Sequence, residues 1–188
     1  MILKSLNIDS TWSLFLDRDG VINKRLVGDY VKIWNEFEFL PGVLEALQIF
    51  SGVFGKIFVV TNQQGIGKGY MTERDLEMIH DEMMQEIKNN GGWIHKIYHS
   101  PYREEEHSVF RKPNTGLARK AKIDFPEIDL GKSIMAGDSK SDMQFGRNAG
   151  MINVFISEKN EIINENPELI DFTFPNLLSF AKEFNPNP

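Results

Sequence analysis

Apolar residues in this chain fall into short runs that stop abruptly at polar groups, and longer segments with helical spacing separate the runs. Leu14-Phe15-Leu16 is the first run, followed by Lys56 to Thr61 (KIFVVT), Ile94 to Tyr98, Ser133 to Ala136 (SIMA) and Ile152 to Ile156. The first two are short, apolar and rich in β-branched or aromatic residues, without the apolar–polar alternation of a half-exposed strand, and the other three read as further strands. That pattern predicts strands buried on both faces of a parallel sheet. Phe172 to Phe174 reads as a short edge strand. Between them, Pro41 at a first helical position opens a helix over Val43 to Phe50. Thr72 with Asp75 resembles a capping box and starts a long helix ending near Asn89, whose Leu76, Ile79, Met83 and Ile87 recur at helical spacing. Further helices are expected over Thr115 to Ile123, Ser141 to Ala149 and Asn176 to Phe184. Strands alternating with helices predict an α/β doubly wound parallel sheet with one crevice at the carboxyl ends of its strands.

Composition narrows this picture. The 188 residues suit one domain, 1–188, with a substantial core. A net charge of −6 argues against nucleic acid as the main partner. Without cysteine, disulfides and thiolate zinc sites are excluded. No signal pattern opens the chain and no apolar run approaches the ~20 residues of a membrane span. A cytoplasmic protein, monomeric or weakly oligomeric, is expected.

The predicted strand ends carry the chemistry. The first stops at Asp17-Arg18-Asp19-Gly20, the second at Thr61-Asn62-Gln63, and the fourth at Gly137-Asp138 with Asp142 four residues on. Lys112 ends the long loop before a helix and can reach the same crevice. Two carboxylates at i and i+2 repel unless a cation or shared proton stands between them. Oxygen-only acidic ligands favour Mg2+. A carboxylate can act as nucleophile, a second can protonate a leaving oxygen and then deprotonate water, and a hydroxyl and an ammonium can hold phosphate oxygens. The set suits phosphoryl transfer. GIGKG at Gly65 to Gly69 is no P-loop, because the G-x-x-x-x-G-K-S/T spacing is missing.

These four motifs, in this order, resemble the haloacid dehalogenase superfamily of phosphohydrolases: DxDGV at Asp17 to Val21, the threonine at Thr61, the lysine at Lys112, and GDxxxD at Gly137 to Asp142. FLDRDGVIN, NEFEFLPGV, VVTNQQGIGKGYMT and FRKPNTGLA are similar to one branch in particular. It contains D-glycero-D-manno-heptose 1,7-bisphosphate 7-phosphatases and histidinol-phosphate phosphatases. The resemblance implies a Rossmann-like, capless fold; the intervals from Asp17 to Thr61 and from Thr61 to Lys112 leave no room for a cap domain. It implies Asp17, Asp19, Thr61 and Lys112 as catalytic residues, with Asp17, Asp19 and Asp138 around Mg2+. It also implies that Arg111, Asn62, Gln63 and a flap near Tyr30 contact a small phosphorylated metabolite. A sugar bisphosphate is expected, with histidinol phosphate or another small monoester as the alternative.

The chain departs from that branch twice. Its typical members hold a structural zinc in the loop before the lysine; here the corresponding positions read Ser100-Pro101-Tyr102 and Ser108-Val109-Phe110. His99 and His107 are then expected to be surface imidazoles, and no bound zinc is expected. Directly after Gly137-Asp138, where a basic residue is usual, stand Ser139 and then Lys140. A receiver domain would phosphorylate a lone Asp on a later strand, and a silent scaffold would not fill every chemical position; both readings fit less well.

Overall fold

The computed structural model describes residues 3–157, 162 and 165–184. Six strands form one parallel sheet: β1 (Ser13–Leu16), β2 (Lys56–Asn62), β3 (Lys96–Ser100), β4 (Ser133–Gly137), β5 (Ile152–Ile156) and β6 (Phe172–Phe174). Their order is β3-β2-β1-β4-β5-β6, every neighbouring pair parallel. The helices are α1 (Val43–Ser51), α2 (Glu73–Asn89), α3 (Gly116–Asp124), α4 (Lys140–Ala149) and α5 (Leu177–Ala181).

The unbroken apolar runs are explained by two cores, one on each face of the sheet. Alternate residues of a strand point to opposite faces. Leu14 and Leu16 of β1, Ile57 and Val59 of β2, and Ile134 and Ala136 of β4 enter one core with Leu47, Phe50 and Phe180. Phe15, Phe58, Val60 and Met135, between them in sequence, enter the other with Leu117 and Phe145. Leu14, Phe15 and Leu16 are all fully buried, and burying side chains of this size stabilises a fold by about 1.5–3 kcal/mol each.

Two expectations need correcting. β3 starts at Lys96 rather than Ile94. Ile94 is buried in the first core but precedes the ladder, which begins at the Phe58–Lys96 pair, so its apolar character reports packing and not strand pairing. Pro41 does not begin α1, because Gly42, at φ 75°, stands between it and the helix. A Cβ at Gly42 would lie 2.7 Å from Leu178, so the left-handed glycine lets α1 and α5 approach. At Thr72 the capping box forms with Asp75 in place of the usual Glu or Gln: Thr72 Oγ1 accepts from the Asp75 amide, and the Asp75 carboxylate accepts from the Thr72 amide.

Because every strand is parallel, all carboxyl ends lie along one edge. The chain runs outward from β1 through β2 to β3, then returns to the other side of β1 as β4. The switch point where an open α/β sheet binds ligands therefore falls between β1 and β4. The Asp17 amide extends the ladder by donating to Ala136 O at 2.9 Å, which sets Asp17 beside Gly137-Asp138.

Candidate active site

The edge of the sheet opens into a crevice of about 280 Å3, lined among others by Asp17, Asp19, Arg25, Tyr30, Thr61 and Lys112. Asp17 follows β1 directly and is buried. Its Oδ1 accepts from the Arg18 amide at 2.7 Å and from Lys112 Nζ at 2.9 Å. Lys112 Nζ also donates to Asp142 Oδ1 at 2.6 Å and to Val60 O at 2.8 Å. Asp142 meanwhile serves α4: its Oδ2 accepts from the Ser139 amide and hydroxyl, completing a capping box. One carboxylate thus fixes both the helix start and the lysine.

Asp17, Asp138 and Asp142 each offer a carboxylate oxygen, all within 4.8 Å of one another. Burial pushes the Asp17 carboxyl up to about 6, with Asp142 adding repulsion and Lys112 opposing it. Burial, then the charges of Asp17 and Asp142, push Asp138 up to about 8 against Arg25 and Lys112. Oxygen donors this close and mutually repelling, two of them buried and one half-buried, fit a hard divalent cation such as Mg2+. Gly20 and Gly137 make the approach possible. A Cβ at Gly20, whose φ is 97°, would lie 2.0 Å from Asp138 Oδ2, and one at Gly137 would lie 2.3 Å from Asp142 Cβ.

The Asp19 side chain stands apart from the expectation that placed it among the metal ligands. Its Oδ1 accepts from Arg18 Nη2 at 2.9 Å and Asn23 Nδ2 at 3.0 Å, and its Oδ2 from Gln63 Nε2 at 2.7 Å. What Asp19 offers beside Asp17 and Asp138 is its backbone carbonyl, which accepts from Arg25. Arg18 is wholly buried, and a buried charge must be paired, so it claims the carboxylate one residue away. Its other contacts are Gln63 Oε1 at 3.3 Å and His80 Nε2 at 3.2 Å. Burial raises the Asp19 carboxyl, but Arg18 and the hydrogen bonds from Arg18, Asn23 and Gln63 more than offset it and leave it lowered. His80 is held well below its ordinary value by burial and then by Arg18, so it faces the guanidinium neutral.

The remaining expected residues divide. Thr61 is buried, its Oγ1 accepting from Gln63 Nε2 at 2.8 Å. Gln63 reaches the crevice wall, yet its amide is spent on Thr61, Asp19 and Arg18. Asn62 clasps the lysine loop, donating to Lys112 O at 3.1 Å and accepting from the Lys112 amide at 3.0 Å. Tyr30 lines the crevice, its ring centroid 5.9 Å from that of Tyr70 and its hydroxyl 3.1 Å from Lys68 Nζ. Arg111 lies in an adjoining depression that shares Asn62, Lys112 and Ser141 with the crevice, and its Nη1 donates to Tyr102 O at 3.1 Å. His99 is not a free surface imidazole: its Nε2 lies 2.7 Å from Glu73 Oε2, and its side chain is about a quarter exposed. His107 is exposed and caps a 3-10 turn at Glu104–Glu106. Arg25 belongs to the site but to none of the motifs, and no signal in the sequence marks it.

A six-stranded parallel sheet with Asp, Thr, Lys and Asp converging on its switch point defines a phosphoryl-transfer hydrolase. The chain belongs to the haloacid dehalogenase superfamily of phosphatases. A family described as polynucleotide kinase 3 phosphatase matches residues 14–168. Among curated relatives, a D-glycero-alpha-D-manno-heptose-1,7-bisphosphate 7-phosphatase of Campylobacter jejuni is 39% identical over 178 residues, 92% of this chain and 97% of that protein. A protein of the same description from Mycobacterium tuberculosis is 40% identical over 137 residues, 73% of this chain and 72% of its own. Among solved structures, a D,D-heptose 1,7-bisphosphate phosphatase of B. bronchiseptica, complexed with magnesium and phosphate, superposes with a TM-score of 0.84 at 26% identity. It covers 93% of this chain and 98% of its own. No described helix is long and apolar enough to cross a membrane.

Proposed function

We propose that this chain is a Mg2+-dependent phosphatase that removes the 7-phosphate of a D-glycero-D-manno-heptose 1,7-bisphosphate through an aspartyl-phosphate on Asp17. The observation that carries the reading is the cluster of buried Asp17, Lys112 and Asp142 with half-buried Asp138 at the switch point, in a chain similar over nearly its whole length to proteins of that description. Asp17, Asp138 and the Asp19 carbonyl would hold the cation, which when bound neutralises charge between carboxylate and phosphate.

The Asp17 carboxylate attacks phosphorus and the bond to the sugar oxygen breaks. Lys112, pinned between Asp17 and Asp142, presents its charge where the equatorial phosphate oxygens gather, and the Thr61 hydroxyl adds a donor. Asp19 gives its proton to the departing sugar oxygen. It rests ionised beside Arg18 and takes that proton from solvent as the arriving phosphate dianion raises its affinity for it. As a carboxylate again, Asp19 takes a proton from water, whose oxygen attacks phosphorus and releases phosphate from Asp17.

The test is phosphate release from the heptose bisphosphate, histidinol phosphate and an aryl phosphate, with Mg2+ and with chelator. The bisphosphate should show the highest kcat/KM, and Asp17→Asn should lower turnover at least about a thousandfold with the circular dichroism spectrum unchanged. Near wild-type turnover by Asp17→Asn would refute the covalent route. A preference for histidinol phosphate would move the substrate to the other half of the branch.

A further inference from the structure

We infer that Arg25 is a resident cation of the metal-free enzyme: its guanidinium holds the oxygens of Asp17, Asp19 and Asp138 together until a divalent cation takes its place. The inference rests on reading the site as a Mg2+-dependent one. One nitrogen, Arg25 Nη2, faces three oxygens from three residues. It lies 2.8 Å from Asp138 Oδ1, 2.8 Å from the Asp19 carbonyl and 3.8 Å from Asp17 Oδ2. Arg25 Nε donates to the same Asp19 carbonyl at 3.1 Å.

An arginine in an ion pair frequently presents its fork to both oxygens of one carboxylate. Here the fork of Nε and Nη2 closes on a single backbone carbonyl, and the same Nη2 also faces two carboxylates. A point of positive charge amid convergent oxygens describes a cation site.

Arg25 is also placed to leave. Arg18 and Lys112, the neighbouring cations, are buried and bound to partners of their own, whereas the Arg25 side chain is about half exposed. It follows closely on Asn23, which is buried and anchored to Asp19 and to the backbone of Phe39 across a bridge. Withdrawing Arg25 therefore gives up its contacts to Asp17, Asp19 and Asp138, while the oxygens it faces stay positioned by β1, β4 and their turns. Charge favours the exchange. With its carboxylates ionised, the cluster of Asp17, Asp138 and Asp142 against Lys112 remains negative after one guanidinium is added, and a divalent ion neutralises it fully.

The experiment titrates Mg2+ calorimetrically into metal-free wild-type protein, Arg25→Gln and Arg25→Lys, and records the thermal midpoint of each without metal. Arg25→Gln should bind Mg2+ about tenfold more tightly, about 1.4 kcal/mol, because no resident charge has to be displaced. Without metal it should unfold at a lower temperature than wild type. Arg25→Lys, with one charged nitrogen and no fork, should fall between. Equal or weaker Mg2+ affinity in Arg25→Gln overturns the inference while leaving the phosphatase reading standing. If Arg25→Gln fails to fold, Arg25→Lys decides: tighter binding than wild type supports the exchange, and unchanged binding refutes it. Failure of the wild type to bind Mg2+ would sink the metal-site reading first, and this inference with it.

Discussion

Lys112 Nζ donates to Asp17 Oδ1 at 2.9 Å, although 95 residues, β2 and β3 among them, separate the two in sequence. The ammonium is buried and shared with Asp142, so it is at once the counter-ion that lets two carboxylates sit under the sheet edge and the charge offered to the substrate.

Lys112→Met tests that double duty. It leaves Asp17 and Asp142 facing each other without their cation, and breaking a buried pair on one side costs about 3–5 kcal/mol. Urea denaturation without metal should show a loss of this size, and kcat should fall by about 10²–10³. A loss of activity with stability unchanged would mean that the pair contributes nothing to the fold.

The raised carboxyls set a pH dependence. Asp17 and Asp138, raised to about 6 and about 8 from 3.8, hold protons in the folded protein that the unfolded chain has released. Folded protein therefore binds more protons than unfolded chain from 3.8 up to each raised value, and stability must fall as pH rises across that range. Asp19, lowered, acts the other way and only on acidification below its ordinary value. Metal-free protein should thus lose stability from about pH 4 to about pH 8, more steeply below about pH 6 where both groups contribute, and saturating Mg2+ should flatten the slope, because bound ligands are already ionised. Denaturation midpoints with chelator and with Mg2+ measure both slopes. A metal-free slope that is flat or rising would contradict the raised values.

Arg111 separates substrate choice from chemistry. It lies in the adjoining depression, away from Asp17, where a guanidinium suits sugar hydroxyls or a second phosphate. Arg111→Ala should lower kcat/KM for the bisphosphate about tenfold, the loss of a single charged hydrogen bond, and leave an aryl phosphate nearly unaffected. Equal losses on both substrates would assign Arg111 to the transferred phosphoryl group or to the loop.

The architecture was legible because parallel strands buried on both faces must be apolar at every position. Leu14 to Leu16 and Val59-Val60 therefore end wherever the chain leaves the sheet, and the residue at that point is a site residue by position. Asp17, Thr61 and Asp138 stand at or next to strand ends for that reason, whereas Lys112 lies in the loop beyond β3 and was marked by its motif alone; the Thr72 capping box was legible because its bonds span three residues. Ile94 and Pro41 misled because packing and helix entry depend on tertiary neighbours, the first core around Ile94 and Leu178 against Gly42. Only the tertiary structure decided where charges found partners. Arg18, buried by the turn after β1, took Asp19 as its counter-ion and reached His80, leaving Asp19 against Gln63; Asp142 was divided between α4 and Lys112; and Arg25 came in over the carboxylates from a loop without a motif. A buried charge takes the nearest compensating group in space, and spacing along a chain does not say which group that is.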